Sequence, residues 1–335
     1  MIFKIPPLSS GGIILSYQCT SQCRHCLYAS SPVWKEWISC QDIDTVLTGI
    51  SKQNQFLTGI HFAGGEPFIQ VELLAYAVSR AVELNVPVDY VETNGFWAWN
   101  DEKAEAILKQ LKEAGLGRIL VSCSPFHMEY TSIDRVRTAL RAGRKVFGQN
   151  NVLVYTQYFK DQLDSVEGQR TYALEEYLEA VGRERASLEF ASEYGLIPNG
   201  RAASQLAFLY EHHPASYFYG GTCARELASP HHVHIDLYGN YIAGLCAGIS
   251  LGDGRDLDTL YQGADLEKRH VLQKLVQGGV EALSAWAREE YGFQESEDGY
   301  IAKCHLCLDI RRHLMGLNEP FIELQPKAFY ENLDG

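Results

Sequence analysis

The sequence predicts an α/β fold: a partial (β/α)6 barrel over residues 1–210 and a smaller C-terminal extension over residues 211–335. Three observations predict it. Short apolar runs alternate with longer amphipathic ones through the first two thirds of the chain. That alternation fades after about Arg201. Cysteines gather in two places, a tight triplet near the N-terminus and a looser set beyond the alternating region.

The strand-like runs are Ile13–Tyr17, Gly59–Phe62, Val88–Glu92, Arg118–Ser122, Asn151–Thr156 and Ser187–Phe190. Between them lie helix-like runs at Gln41–Lys52, Val71–Asn85, Asp101–Ala114, Ile133–Phe147 and Tyr172–Val181. Ser39 with Asp42 fits an N-cap with an acidic third position, and Asn100 is placed to cap the Asp101 helix. Gly115 and Gly148 stand where helix C-caps belong. Strands separated by helices pair in parallel, because a parallel neighbour needs a crossover connection. Right-handed crossovers curl such a sheet into an open or partial barrel, whose reactive groups collect at the C-terminal strand ends. Residues 214–255 are rich in Gly, Tyr and His and read as loops with one hairpin, His232–Leu237 and Tyr241–Leu245, turning at Gly239-Asn240. A helical stretch, about Leu257–Tyr291, precedes the last cysteines.

Bulk properties exclude several classes. The net charge of −13 opposes binding to a phosphate backbone, and the basic run Arg135, Arg137, Arg141, Arg144 and Lys145 reads as a solvated helix face, so no nucleic-acid partner is expected. No apolar stretch approaches the roughly 20 residues of a membrane helix. The N-terminal segment, interrupted by Pro6 and Pro7, lacks the apolar centre of a signal peptide, so a cytoplasmic location is expected. Nine cysteines without a secretion signal point to metal binding or catalysis rather than to a disulfide framework.

Directly after the first strand, Cys19, Cys23 and Cys26 occupy one loop at C-x3-C-x2-C spacing. Soft thiolates select iron–sulfur clusters, zinc or copper(I). Three local thiolates on a [4Fe–4S] cube leave one iron open to a ligand; a zinc site completed by His25 fits the spacing as well. The second strand ends in Gly64-Gly65-Glu66-Pro67, where paired glycines allow a close approach of backbone to a ligand and Glu66 adds a carboxylate.

Together these residues resemble the radical S-adenosylmethionine (SAM) superfamily. Cys19-Thr-Ser-Gln-Cys23-Arg-His-Cys26 is similar to its cluster loop, with His25 where an aromatic residue usually stands. Gly64, Gly65 and Glu66 resemble its motif for the SAM amino group. Glu92-Thr93-Asn94-Gly95 resembles the polar end of its third strand, Ser122-Cys123-Ser124 its fourth-strand segment, and Asn199-Gly200-Arg201-Ala202 the run that often ends its barrel. The resemblance covers roughly residues 10–205. It implies that Cys19, Cys23 and Cys26 hold a [4Fe–4S] cluster and that SAM chelates the open iron. His25, Gly64, Gly65, Glu66, Asn94, Ser122 and Arg201 would then line the cofactor. Reductive cleavage would yield a 5′-deoxyadenosyl radical that abstracts a substrate hydrogen, with a reducing flavodoxin or ferredoxin as electron donor.

Cys304 and Cys307 form a tight pair, and the hairpin is placed to bring Cys223 and Cys246 toward them. Four thiolates suit zinc or a cluster. Around Asp236-Leu237-Tyr238-Gly239 the segment resembles the shortened SPASM-type, or twitch, extension of some radical SAM enzymes, which implies an auxiliary [4Fe–4S] cluster. That suits an oxidoreductase acting on a peptide or protein side chain, with a small metabolite as the alternative substrate. A non-catalytic iron or zinc protein is the reading from another class. His127 and Glu129, following the fourth strand, are candidate acid–base residues at the barrel rim, while packing and helix capping are the plain alternative. Cys123 is expected to point outward into the core.

Overall fold

The computed structural model describes residues 1–53, 56–166, 168–317 and 319–334. After the short strand β1 (Ile2–Phe3), the chain runs β2 (Ser10–Ile14), α1 (Cys40–Lys52), β3 (Gly59–Ala63), α2 (Val71–Glu83), β4 (Val88–Thr93), α3 (Asp101–Glu113) and β5 (Ile119–Ser122). It continues through α4 (Pro125–Met128), α5 (Ile133–Phe147), β6 (Val152–Tyr155), α6 (Gln157–Leu163), α7 (Leu174–Val181) and α8 (Arg183–Glu189). The chain divides into two compact units. One is Gly11–Cys23 with Ser30–Leu196; the other is Met1–Ser10, Arg24–Ala29 and Ile197–Gly335.

In the first unit the strands stand in the order β6-β5-β4-β3-β2, and β3 through β6 pair in parallel. The helices that separate them cover one face. Gly143 of α5 lies so close to Ile119 and Val152 that a Cβ there would stand 2.9 Å from Ile119 Cδ1. Ile119, Val121 and Val152 are accordingly buried on the helix side, together with Ile60, Phe62 and Val91. Strand alternation sends His61, Tyr90, Glu92, Leu120, Ser122 and Tyr155 to the opposite, inner face. The anticipated caps form: Asp42 N–H donates to Ser39 Oγ at 3.0 Å and Lys103 N–H to Asn100 Oδ1 at 2.9 Å. Gly115 and Gly148 adopt positive φ at the ends of α3 and α5.

One expected strand is corrected. Ser187–Phe190 is not the sixth strand: α8 runs to Glu189, and one π-helical turn follows from Phe190 to Tyr194. The cause is a polar cluster. The buried Glu189 carboxylate accepts from Tyr158 Oη (2.7 Å), Tyr177 Oη (2.7 Å) and, one helical turn back, Arg185 Nε (2.6 Å). These bonds tie the segment to α6 and α7 as a helix. The parallel α/β architecture stands, with five strands in this unit among the described residues.

The second unit contains α9 (Arg201–Gln205), α10 (Ala224–Leu227), the antiparallel pair β7 (Val233–Ile235) and β8 (Tyr241–Ile242), and α11 (Leu257–Leu260). The strand β9 (Ala264–Asp265), which pairs with β1, and α12 (His270–Tyr291), α13 (Lys303–Met315) and α14 (Lys327–Glu331) complete it. The hairpin turns where expected: Asp236 Oδ1 accepts from Tyr238 N–H and Asn240 N–H, and Gly239 takes φ +83°. The helical stretch after Leu257 is broken, with β9 between α11 and α12 and a kink in α12 at Gly279.

Candidate functional site

In the first unit the loop after β2 carries Cys19 and Cys23, both buried. The end of β4 and the returning loop at Ser31 brace it. Cys19 N–H donates to Ser31 O at 3.1 Å. Asn94, at the end of β4, donates from Nδ2 to Thr20 Oγ1 (3.1 Å), Ser21 Oγ (3.2 Å) and Cys19 Sγ (3.7 Å). Ser21 N–H adds a contact to Cys19 Sγ at 3.4 Å. Donors aimed at sulfur favour the thiolate, the form that binds metal.

The loop after β3 lies against the same segment. Gly65 N–H donates to Ser16 O (2.7 Å) and Glu66 N–H to Gln18 O (2.9 Å). A Cβ on Gly64 would stand 2.3 Å from Ser16 O, and one on Gly65 would stand 1.9 Å from Gln18 O. The paired glycines are thus required by backbone packing against the cysteine loop, whatever ligand the loop also meets. Glu66 is 1% exposed. Its carboxylate accepts from Phe68 N–H (3.1 Å), Thr93 Oγ1 (2.9 Å) and Asn94 N–H (2.7 Å), which ties the β3 loop to β4. Burial outweighs these donors and raises its pKa to about 7. Trp97 completes the support, donating to Thr93 Oγ1 at 2.8 Å and stacking on Phe68.

The inner sheet face carries His61 and Tyr90, which the motif reading passes over, beside Glu92 and Ser122, which it includes. His61 Nε2 lies 3.8 Å from Glu92 Oε1, and the His61 ring stacks on Tyr90. Gly12 leaves the room: a Cβ there would stand 2.4 Å from His61 Nε2. Glu92 is 38% exposed, yet enough protein surrounds its carboxyl that desolvation pushes the pKa up to about 7. Among the described residues the one cation that pairs with this carboxyl is His61 when protonated. Ser122 pairs in register with Tyr155 on the same face. Within β4, Val88-Asp89-Tyr90-Val91-Glu92-Thr93, alternation places Tyr90 and Glu92 on one face.

His127 lies in α4, buried, with Nδ1 2.7 Å from Ser124 Oγ, and burial lowers its pKa to about 4. The imidazole is therefore neutral at pH 7. Glu129 Oε1 accepts from Leu174 N–H at 3.4 Å, at the start of α7. Both residues thus have structural work in positioning α4 and α7. Cys123 is fully buried, and burial pushes its thiol up to about 12.

In the second unit Cys26 and the half-buried His25 lie on the segment Arg24–Ala29. Cys26 O accepts from Arg201 N–H at 3.1 Å. Gly200, at φ +58°, lets the backbones meet: a Cβ there would stand 2.4 Å from Leu27 O. Arg201 itself is fully buried. The Asn199-Gly200-Arg201 run therefore holds the third cysteine of the triplet by its backbone.

The four C-terminal cysteines come together. Cys223, Cys246, Cys304 and Cys307 line one cavity of about 60 Å³, with Arg311 and Asn199 also in its wall. Cys304 stands in the first turn of α13 and Cys307 one turn further on, on the same side of the helix. Burial first, and then the neighbouring thiols, push Cys246 up to about 12 and Cys223 up to about 11. Four half-buried thiols gathered at one cavity are a donor set suited to a soft cation. Arg311 gives no signal in the sequence that it is buried here.

A family model described as the radical SAM superfamily matches residues 13–199. No curated protein matches the sequence. Among solved structures, BtrN in complex with AdoMet and 2-DOIA is similar at 13% identity and a TM-score of 0.48, over 83% of this chain and 90% of that one. Native anSMEcpe with bound AdoMet is similar at 12% identity and a TM-score of 0.44, over 97% of this chain and 98% of that one.

Proposed function

The chain belongs to the radical SAM superfamily, and on that premise we propose that it oxidises a peptide or protein side chain, using an auxiliary [4Fe–4S] cluster at Cys223, Cys246, Cys304 and Cys307. When bound, SAM with its cluster supplies an organic radical that abstracts a substrate hydrogen, and the auxiliary cluster supplies an electron acceptor. The observation that carries the reading is the convergence of four cysteines on one cavity.

The chain's own residues do the rest. Cys19, Cys23 and Cys26 hold the first cluster, leaving one iron for SAM. Asn94 and Ser21 N–H fix Cys19. The backbone after β3, fixed on the cysteine loop by Gly64 and Gly65, is the surface offered to the SAM amino group. Ser122 and Arg201 complete the cofactor residues, with His25 beside Cys26. His61, Tyr90, Glu92 and Tyr155 on the inner sheet face suit a polar substrate group held beside the C–H to be attacked. That compact polar set also favours a second reading, oxidation of a small polar metabolite. A low-potential flavodoxin or ferredoxin is proposed as the electron source. Among the described residues no helix is long and apolar enough to cross a membrane.

Anaerobic reconstitution tests the proposal. Two [4Fe–4S] clusters correspond to about eight irons per chain. Cys304→Ala with Cys307→Ala should lower this to about four and leave reductive SAM cleavage intact. Zinc in place of iron at the C-terminal site, or an unchanged iron content in that variant, refutes the auxiliary cluster. Dehydrogenated product from a peptide pool, read by mass spectrometry, supports the first substrate reading; product only from polar metabolites supports the second.

A further inference from the structure

Arg311 is a charged side chain in the protein interior that the proposed chemistry has not used. It is 1% exposed, and its guanidinium lies in the wall of the cavity lined by Cys223, Cys246, Cys304 and Cys307. Among the described residues its hydrogen bonds go to neutral acceptors. Nε donates to Cys307 O (3.3 Å), Nη1 to Ala247 O (2.9 Å) and Tyr330 Oη (3.0 Å), and Nη2 to Asn199 Oδ1 (3.4 Å). Tyr330 Oη in turn donates to Gly248 O at 2.5 Å, so the phenol is protonated and carries no charge. Among the described residues no carboxylate forms an ion pair with Arg311. The other cation and anion of this cavity, Lys303 and Glu226, are paired with each other at 3.1 Å and half-exposed.

An unpaired guanidinium cannot shed its charge at any ordinary pH, and burying it without an anion is strongly unfavourable. With Glu226 taken up by Lys303, the remaining candidate anions among the described residues of the cavity wall are the four thiols in their ionised, metal-bound form. A [4Fe–4S] cube in its usual oxidised state with four thiolates carries a net charge of about −2, and reduction makes it more negative. We infer that Arg311 is the internal counter-ion of this centre, a positioning residue that favours the reduced cluster and so makes the site a better electron acceptor. Asn199 and Tyr330 aim the guanidinium, and Gly248, where a Cβ would stand 2.9 Å from Nη1, leaves space for it.

The inference rests on the auxiliary-cluster reading, and the test separates the two. The full chain with Cys19, Cys23 and Cys26 replaced by alanine holds only the C-terminal site. Its midpoint potential is measured anaerobically by a redox titration followed by electron paramagnetic resonance, with Arg311 intact, with Arg311→Gln and with Arg311→Lys. Arg311→Gln should favour the oxidised cluster by tenfold or more, a fall of about 59 mV for a one-electron couple. Arg311→Lys, which keeps the charge, should stay within half that shift. Iron at about four per chain with an unchanged potential in Arg311→Gln overturns the counter-ion assignment and leaves the cluster reading standing. Zinc, or no metal, in the Arg311-intact protein overturns both. If Arg311→Gln folds but takes up no iron, recovery of the cluster in Arg311→Lys supports the assignment, and no recovery overturns it.

Discussion

Glu66 offers a pH-dependent test of how the cysteine loop is braced. Its folded-state pKa of about 7 lies above its ordinary value of 4.5, because burial outweighs three donors. As pH rises past 4.5 the unfolded chain sheds this proton while the folded chain keeps it, so folding loses stability until the pH passes about 7. The full loss is about 3 kcal/mol, from roughly 1.4 kcal/mol for each unit separating the two values. Glu66→Gln removes this dependence. At about pH 5 the variant should be less stable by about 1–3 kcal/mol, because the new amide turns a donor toward Asn94 N–H and leaves it without its acceptor. At about pH 8 the difference should nearly vanish, since the wild-type chain now carries a buried carboxylate. Glu92 titrates in both proteins and cancels in the subtraction. The assay is urea unfolding of the metal-free proteins at the two pH values, comparing midpoints at equal slopes. A gap that stays constant, or widens with pH, refutes the reasoning: Glu66 would then be ionised throughout, its three donors prevailing over burial.

Asn94→Ala removes the amide that touches Thr20, Ser21 and Cys19. It should speed iron loss to a chelator severalfold, followed by absorbance, while Cys304 and Cys307 keep their metal. Gly65→Ala drives a Cβ into Gln18 O, and backbone cannot yield as a side chain can. A destabilisation of about 3 kcal/mol or more is expected, read as a lowered unfolding midpoint of the metal-free chain. Cys123→Ala should cost about 1 kcal/mol of stability and leave SAM cleavage at the wild-type rate, because this thiol lies in the core behind β5.

Much of the fold was legible because its signals are local. The cap residues Ser39 and Asn100, and glycines at Gly115 and Gly148, mark helix ends through bonds to their own neighbours. Ser187–Phe190 misleads for the opposite reason: a short apolar run has no period of its own to settle helix or strand. Its state is fixed by Tyr158 and Tyr177, which reach Glu189 from other helices. The convergence of Cys223, Cys246, Cys304 and Cys307 on one cavity was legible from the hairpin and the close Cys304, Cys307 pair. The inner-face group of His61, Tyr90 and Glu92 was not, since it depends on strand register, which shifts by a bulge between Ile60 and His61. Arg311 was invisible for a similar reason, since a lone arginine on a helix is ordinarily solvated.

Gly64, Gly65, Glu66 and Asn94 share a feature that a motif alone does not disclose: each is committed to the loop that carries Cys19 or to its supports before any ligand arrives. The glycines are pressed on Ser16 and Gln18, the Glu66 carboxylate joins the β3 loop to β4, and the Asn94 amide crosses from β4 to Thr20 and Ser21. A cluster held by three thiolates has one fewer protein bond to order its loop than a fully ligated one. The missing restraint has to come from the scaffold if the open position is to keep a fixed geometry, and ordering the loop in advance also lowers the entropy lost on binding. Residue types that the family resemblance reads as ligand contacts are therefore already demanded by the backbone that holds the cysteines. It follows that loss of activity on mutating them does not by itself assign a ligand contact; only a change in SAM affinity at unchanged iron content and stability does.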